Sequence, residues 1–119
     1  MNDRTTSINI GGKEYELLLT TRATKEIALK FGGLEKLGTE LGSGNFEKNI
    51  DTLVWLVVTL ANQSIMLKNY LQGTKEPLLT PEFVELATTP SDLGTYNEAL
   101  TEALMRGTKR EIESEQKNA

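Results

Sequence analysis

Two short stretches of alternating apolar and polar residues, separated by two glycines, stand at the start of the chain. In residues 7–10 and 14–19 every second residue is apolar, and this period of two is typical of strands with one buried face. Gly11 and Gly12 accept the positive φ angles that a two-residue hairpin turn requires. The pattern predicts a β-hairpin over residues 7–19. A lone hairpin is marginally stable in water, so it must pack on other elements, and its open edge is a candidate docking site.

Everything after the hairpin shows the spacing and the cap residues of helices. The predicted helices are one capped by Thr20 or Thr21 and ended by Gly32-Gly33, a short one from Leu34 to Leu41, a principal one capped by Asn45 that runs to Tyr70-Leu71, one from Pro81 to Ala87, and a last one opened by Thr89-Pro90. Apolar residues form two stripes on the principal helix, which implies burial on two sides. The sequence therefore predicts an α+β fold, mostly α, in which an N-terminal β-hairpin is followed by a bundle of about four to five helices.

The length of 119 residues fits one domain. We expect a single compact domain over residues 1–107, with the hairpin at 7–19 and helices to 107, and a polar, frayed tail over residues 108–119, which has almost no apolar side chains to bury. The longest apolar run, Leu53 to Ala61, is about half of the ~20 residues that a membrane-spanning helix needs. This run predicts a buried core helix and no membrane contact.

The composition is informative about function through what it lacks. The chain has no cysteine and no histidine, which removes thiolate chemistry, the usual general base and the usual zinc ligand. Its net charge of -4 disfavours nucleic acid as a partner, because that needs a basic face. No cluster of residues suggests catalysis, a cofactor site or a metal site, so we expect a protein that is not an enzyme. The polar N-terminus lacks the apolar segment of a secretory signal, which predicts a cytoplasmic protein.

Four residues are candidates for contact with a partner protein. Trp55 lies within the apolar run of the principal helix, and tryptophan is enriched at interface hot spots, although a core position explains it as well. Arg106, Lys109 and Arg110 form a compact basic cluster near the end of the last helix. This cluster either stabilises the negative end of the helix dipole or contacts an acidic partner.

The order of parts resembles that of a known protein family. The matching segments are the hairpin at 7–19, Lys30-Phe31-Gly32-Gly33-Leu34 at the end of the first helix, Leu79-Thr80-Pro81-Glu82-Phe83-Val84-Glu85-Leu86, Pro90-Ser91-Asp92-Leu93, and the segment 97–107, which is rich in Glu-Ala-Leu. Over residues 8–107 these segments resemble the small tail assembly chaperones of long-tailed (siphovirus-like) bacteriophages and prophages. The resemblance is one of residue types, so no binding residue of the family transfers to a position in this chain.

The resemblance implies a non-catalytic protein of the host bacterial cytoplasm that is absent from the mature virion. Such a protein binds the tape measure protein, keeps this long, aggregation-prone helical chain soluble, and helps the tail tube protein to polymerise around it. Surplus apolar surface on the principal helix also favours self-association. A groove for tape measure helices would lie along the exposed parts of the principal helix and of the last helix.

The alternative function is a structural protein of a phage or prophage, namely a head-tail connector or neck protein. A connector forms a ring of fixed copy number and stays in the finished particle, whereas a chaperone is absent from it. The sequence pattern leaves this alternative open.

Overall fold

The computed structural model describes the backbone of residues 4–41 and 46–118, and the side chains of these residues except 46 and 109–118. The elements, in chain order, are β1 (Thr6–Ile10), β2 (Lys13–Leu17), α1 (Thr21–Phe31), α2 (Leu34–Leu41), α3 (Phe46–Gln72), α4 (Pro81–Ala87) and α5 (Pro90–Asn118). The predicted α+β architecture, mostly α with an N-terminal hairpin, is confirmed, and the described residues contain five helices.

The hairpin is antiparallel and turns at the two glycines. Gly11 and Gly12 have φ angles of 59° and 85°, which is the left-handed geometry that a two-residue turn needs. Residues opposite each other share a face of the ribbon, and the register places Ile8 opposite Tyr15 and Ile10 opposite Lys13. The inner face buries Ile8, Ile10 and Leu17, with Tyr15 half-buried and Lys13 exposed beside the turn. The outer face carries Ser7, Asn9, Glu14 and Glu16.

Side-chain caps and one glycine determine where the flanking helices begin and end. Thr20 and Thr80 each accept a backbone N–H from the first turn of the helix that follows. Thr89 and Asp92 accept each other's backbone N–H at the start of α5, which is the reciprocal arrangement of a capping box. Gly32, with a φ of 93°, ends α1 and donates its N–H to a carbonyl of the last turn. These caps agree with the sequence prediction.

The helix α3 is the centre of the core, as its two predicted apolar stripes indicate. It contacts β2 and each of the other four described helices. Its buried apolar residues are Leu53, Val54, Leu56, Val57, Leu60 and Ala61. Each buried leucine or valine of this kind contributes about 1.5–3 kcal/mol relative to its exposed state. The predicted cap Asn45 lies outside the described residues.

By length and composition alone, residues 47–72 of α3 would be long and apolar enough to cross a membrane. Half of the apolar window concerned is buried inside the protein, and the core helix of a soluble protein can meet the same criterion. The predicted core run is thus the buried part of a longer helix, whose C-terminal turns are exposed.

Gly107 lies where α5 crosses the chain that leaves the hairpin. A Cβ atom at this position would be 2.8 Å from the Cβ atom of Leu19, which is closer than two carbon atoms can pack without movement. The helix continues past Gly107 to Asn118, whereas the sequence placed the end of the helical domain at residue 107. Gly107 therefore permits a close helix contact. The fraying expected for residues 108–119 stays a prediction.

Candidate partner-binding surface

Trp55 is half-buried at the side of α3. Its ring meets that of Phe31 edge to face, with the centroids 5.5 Å apart and the planes at 82°. The Lys30 ammonium lies 5.7 Å from the Phe31 centroid and 5.5 Å from the Trp55 centroid, within range of a cation–π interaction with both rings. These contacts connect α1 to α3, so Trp55 has a structural role at this position.

An open groove of about 740 Å³ runs beside Trp55. Its charged lining residues have mixed sign, since Lys36 and Lys48 lie near Glu40 and Asp51. Lys48 and Glu40 form an ion pair at 2.9 Å. Mixed and partly paired charges give no electrostatic preference for one kind of partner.

The predicted basic cluster is divided between described and undescribed side chains. The Arg106 guanidinium donates a hydrogen bond to the Thr5 carbonyl at 2.8 Å and pairs with the Glu102 carboxylate at 2.7 Å. Arg106 is thus engaged within the chain, where it joins α5 to the residue before β1. The side chains of Lys109 and Arg110 lie outside the described residues. Trp55 and Arg106 line two different grooves.

The last turns of α3 carry an apolar patch, which we define as Leu67, Tyr70 and Leu71. These side chains are 38%, 88% and 70% exposed, and their helical spacing makes them neighbours on the surface. Several other large apolar side chains are also exposed on the described surface, but this patch is the one that continues into a groove between α3 and β2 of about 500 Å³, lined by Leu67, Leu71 and Tyr15. A surface of this kind is typical of protein contact.

Exposure increases along the row of α3 residues that faces β2. Leu60 is fully buried, Ser64 is half-buried, and Leu67 and Leu71 are increasingly exposed. The Leu18 N–H donates to the Leu60 carbonyl at 3.1 Å, which holds the helix against the end of the hairpin. The packing of α3 on the hairpin is therefore tight at Leu60 and open toward Leu71.

Ser64 lies on the same row and shows a local cost of this arrangement. Its Oγ is buried and has no hydrogen-bond partner within the described part of the chain. A helical serine usually bonds the carbonyl four residues earlier, which here is that of Leu60, and that carbonyl already accepts the Leu18 N–H.

A loop, residues 73–80, is held against the opposite side of α3 by two asparagines. The Asn62 side chain donates to the Leu79 carbonyl at 2.9 Å and accepts the Leu79 N–H at 2.7 Å. The Asn69 side chain makes the same two bonds to Glu76, each at 3.0 Å. At 3.6 residues per turn, Asn69 lies across the helix from Leu67 and Leu71, so the loop leaves the apolar patch uncovered.

Glu76 closes the end of the groove near the hairpin turn. Its carboxylate pairs with Lys68 at 2.8 Å and with Lys13 at 4.0 Å. The hydrogen bond and the charge of Lys68, with a smaller contribution from Lys13, hold the pKa of Glu76 below its ordinary value. The two lysines of the groove are therefore both directed at Glu76.

The two edges of the hairpin have different environments. The edge of β1 faces α5, where the Tyr96 hydroxyl donates to the Asn9 carbonyl and the Thr6 hydroxyl donates to the Ala99 carbonyl. Burial, together with the charge of Asp92, raises the pKa of Tyr96, so its hydroxyl stays protonated and remains a donor. The edge of β2 borders the groove instead.

Sequence reasoning selected Trp55 and the basic cluster and did not select the apolar patch. Leu67, Tyr70 and Leu71 continue the helical spacing of the core, so periodicity places them with the buried residues. The one available signal was that polar residues surround them, as in Leu67-Lys68-Asn69-Tyr70. No group of three or more His, Cys, Asp or Glu side chains suited to a metal occurs among the described residues. No protein-family model, curated protein or solved structure matches this chain.

Proposed function

We propose that the protein is a tail assembly chaperone of a long-tailed bacteriophage or prophage. It binds the tape measure protein, keeps that protein soluble and promotes assembly of the tail tube around it in the host bacterial cytoplasm, without entering the mature virion. The order of hairpin and helices supports this proposal through the family resemblance. The observation that carries it is the exposed apolar patch of Leu67, Tyr70 and Leu71 beside the groove.

The patch suits an amphipathic helix as its partner. Helix-in-groove contacts are formed by apolar residues at helical spacing that enter an apolar groove. Tyr70 and Leu71 present apolar side chains on the exposed side of α3, and Leu67, at helical spacing from both, continues this surface to the groove beside β2. Covering the patch removes apolar area from water, which is favourable by about 25 cal/mol per Å². A long helical chain with exposed apolar faces would become more soluble when such contacts cover those faces.

Two substitutions in the patch test this function. Tyr70→Ser with Leu71→Ser removes apolar area that is already largely exposed in the free protein, so the chain should stay folded. We expect the variant to lose its ability to keep the co-expressed tape measure protein in the soluble fraction. Leu29→Ser is the matched control, because Leu29 is 86% exposed on α1 and does not line the groove. Equal loss of solubility with the control variant would argue against a role of the patch.

An affinity pull-down of the tagged chain from phage-producing host cells tests the function as a whole. Mass spectrometry should identify a very long helical tape measure protein among the captured proteins, and purified virions should lack the chain. Capture of portal, neck or connector proteins, or presence of the chain in virions at a fixed copy number, would support a head-tail connector instead.

A further inference from the structure

The outer edge of β2 has main-chain groups without partners. In a two-residue hairpin the residues that flank the turn form a hydrogen-bonded pair, and such pairs alternate along the ribbon. Ile10 with Lys13 and Ile8 with Tyr15 are therefore bonded pairs, and the N–H and C=O groups of Glu14 and Glu16 point away from β1. Among the described residues nothing bonds these outward groups. The edge thus offers two donors and two acceptors.

The hairpin has one covered edge and one that is available. Contacts from Tyr96 and Thr6 bind α5 to the edge of β1. Directly after β2, the Leu18 N–H donates to the Leu60 carbonyl. Along β2 itself, the groove lies beside Glu14 and Glu16, which are both exposed. Its volume of about 500 Å³ is within the range of roughly 300–1,000 Å³ for sites that enclose a ligand.

The charges along the outer edge of β2 determine which kind of segment can pair with it. Glu14 and Glu16 form no ion pair within the described part of the chain, and the nearby Lys13 and Lys68 are both directed at Glu76. A second copy pairing antiparallel through β2 would place Glu14 opposite Glu16 of the other copy, and like charges in that position are destabilising. Lysine or arginine opposite each glutamate is favourable instead.

Side chains alternate between the two faces of a strand, so the partner residue between those two basic positions faces the other side of the ribbon. A partner residue opposite Tyr15 has its side chain on the inner face of the ribbon, where Tyr15, Leu67 and Leu71 line the groove. An apolar side chain fits that position. The edge therefore matches an extended segment with the pattern basic, apolar, basic.

We infer that an extended segment of a partner protein with the pattern basic, apolar, basic adds to β2 as a third, antiparallel strand. This inference rests on the proposed function, because it assigns the β2 edge to the same binding surface as the apolar patch. The main chain supplies affinity, while the two glutamates and the apolar side chains of Tyr15, Leu67 and Leu71 select the sequence.

The test uses a fluorescein-labelled peptide with the central segment Val-Lys-Val-Lys-Val and measures its fluorescence anisotropy with the full chain. We expect saturable binding that weakens about tenfold or more when the two lysine amides are N-methylated, because each loses a hydrogen bond to β2. Methylation of the central valine amide is the matched control, since that N–H points away from β2 in an antiparallel pair. Equal affinity of the two methylated peptides would overturn strand addition.

Protein variants test the role of charge. Glu14→Lys with Glu16→Lys should weaken binding of the lysine peptide about tenfold and should create a preference for Val-Glu-Val-Glu-Val. Glu26→Lys with Glu35→Lys makes the same change in net charge on exposed positions of α1 and α2, outside the groove, and should leave binding of the lysine peptide unchanged. Equal weakening by both pairs would contradict a specific role of Glu14 and Glu16.

Amide hydrogen exchange locates the contact. Bound peptide should slow exchange at Glu14 and Glu16 about tenfold or more, because these outward N–H groups become hydrogen-bonded. Slowed exchange at these amides without peptide, increasing with protein concentration, would instead assign the edge to a second copy. No peptide binding together with capture of the tape measure protein would overturn this inference alone. Peptide binding without that capture would overturn the proposed function.

Discussion

Asn69 holds the backbone of Glu76 through both its amide nitrogen and its amide oxygen, as a neighbouring strand would. Asn62, two helical turns earlier, holds Leu79 in the same way. These two side chains attach the loop between α3 and α4 to one side of α3. The opposite side of the helix keeps its apolar patch, which is the surface that we assign to partner binding.

Removing the Asn62 side-chain amide should lower the free energy of unfolding, because the Leu79 backbone groups that it bonds are buried. Leu79 is 7% exposed, so Asn62→Ala leaves a buried N–H and C=O without partners, and we expect the free energy of unfolding to fall by about 2–3 kcal/mol. Asn69→Ala, at a more exposed site, should cost about 1 kcal/mol. Urea unfolding measures both. Asn97→Ala on the exposed face of α5 is the control, and an effect of Asn62→Ala as small as that of the control would contradict this role.

Gly107 and Gly94, both in α5, should respond to alanine in opposite directions. A Cβ at Gly94 meets nothing within 4 Å, so Gly94→Ala should stabilise the protein by about 0.5–1 kcal/mol through helix propensity. Gly107→Ala forces Leu19 to move and should destabilise by about 1–3 kcal/mol. Thermal unfolding of both variants tests this difference. In a Leu19→Gly background, which removes the Leu19 Cβ as well as the atoms beyond it, the cost of Gly107→Ala should disappear, and its persistence would locate the strain elsewhere.

Phe31 and Trp55 should be energetically coupled. Their edge-to-face contact is worth about 0.5–1.5 kcal/mol beyond the area that it buries, so a double-mutant cycle with Phe31→Leu and Trp55→Leu should give a coupling of that size. Urea unfolding of the four proteins measures it. Trp55 is the only tryptophan, and it lines a different groove from the apolar patch. Its fluorescence emission should therefore stay unchanged when a partner binds the patch.

The contribution of Glu76 to the stability of the protein should depend on pH. Its pKa is lowered by Lys68, so the carboxylate contributes to stability above the ordinary carboxyl pKa of 4.5 and loses that contribution as the pH falls through the lowered value. The stability difference between the natural chain and Glu76→Gln should therefore shrink on acidification. An NMR titration of the Glu76 carboxyl group should show its pKa rising toward 4.5 in Lys68→Met. No change in that variant would exclude Lys68 as the cause.

Local patterns were sufficient to predict most of the fold. The alternation around Gly11-Gly12, the threonine caps and the stripes of α3 each describe interactions between residues close together in the chain, and the structure confirms them. Gly107 shows the limit of such reasoning. A glycine near the end of a helical pattern predicts a helix end, but its contact with Leu19 joins residues far apart in sequence.

The binding surface depended on tertiary structure for the same reason. Leu60 and Leu71 lie on one apolar row of α3, and periodicity treats them alike. Packing separates them, because the hairpin meets the helix at Leu60 through the Leu18 N–H and leaves Leu71 mostly exposed. By itself the sequence determined the elements, their order and the faces that seek burial. Only the tertiary structure decided which of those faces, and which edge of the hairpin, stay open to a partner, since that depends on how many elements are available to cover them.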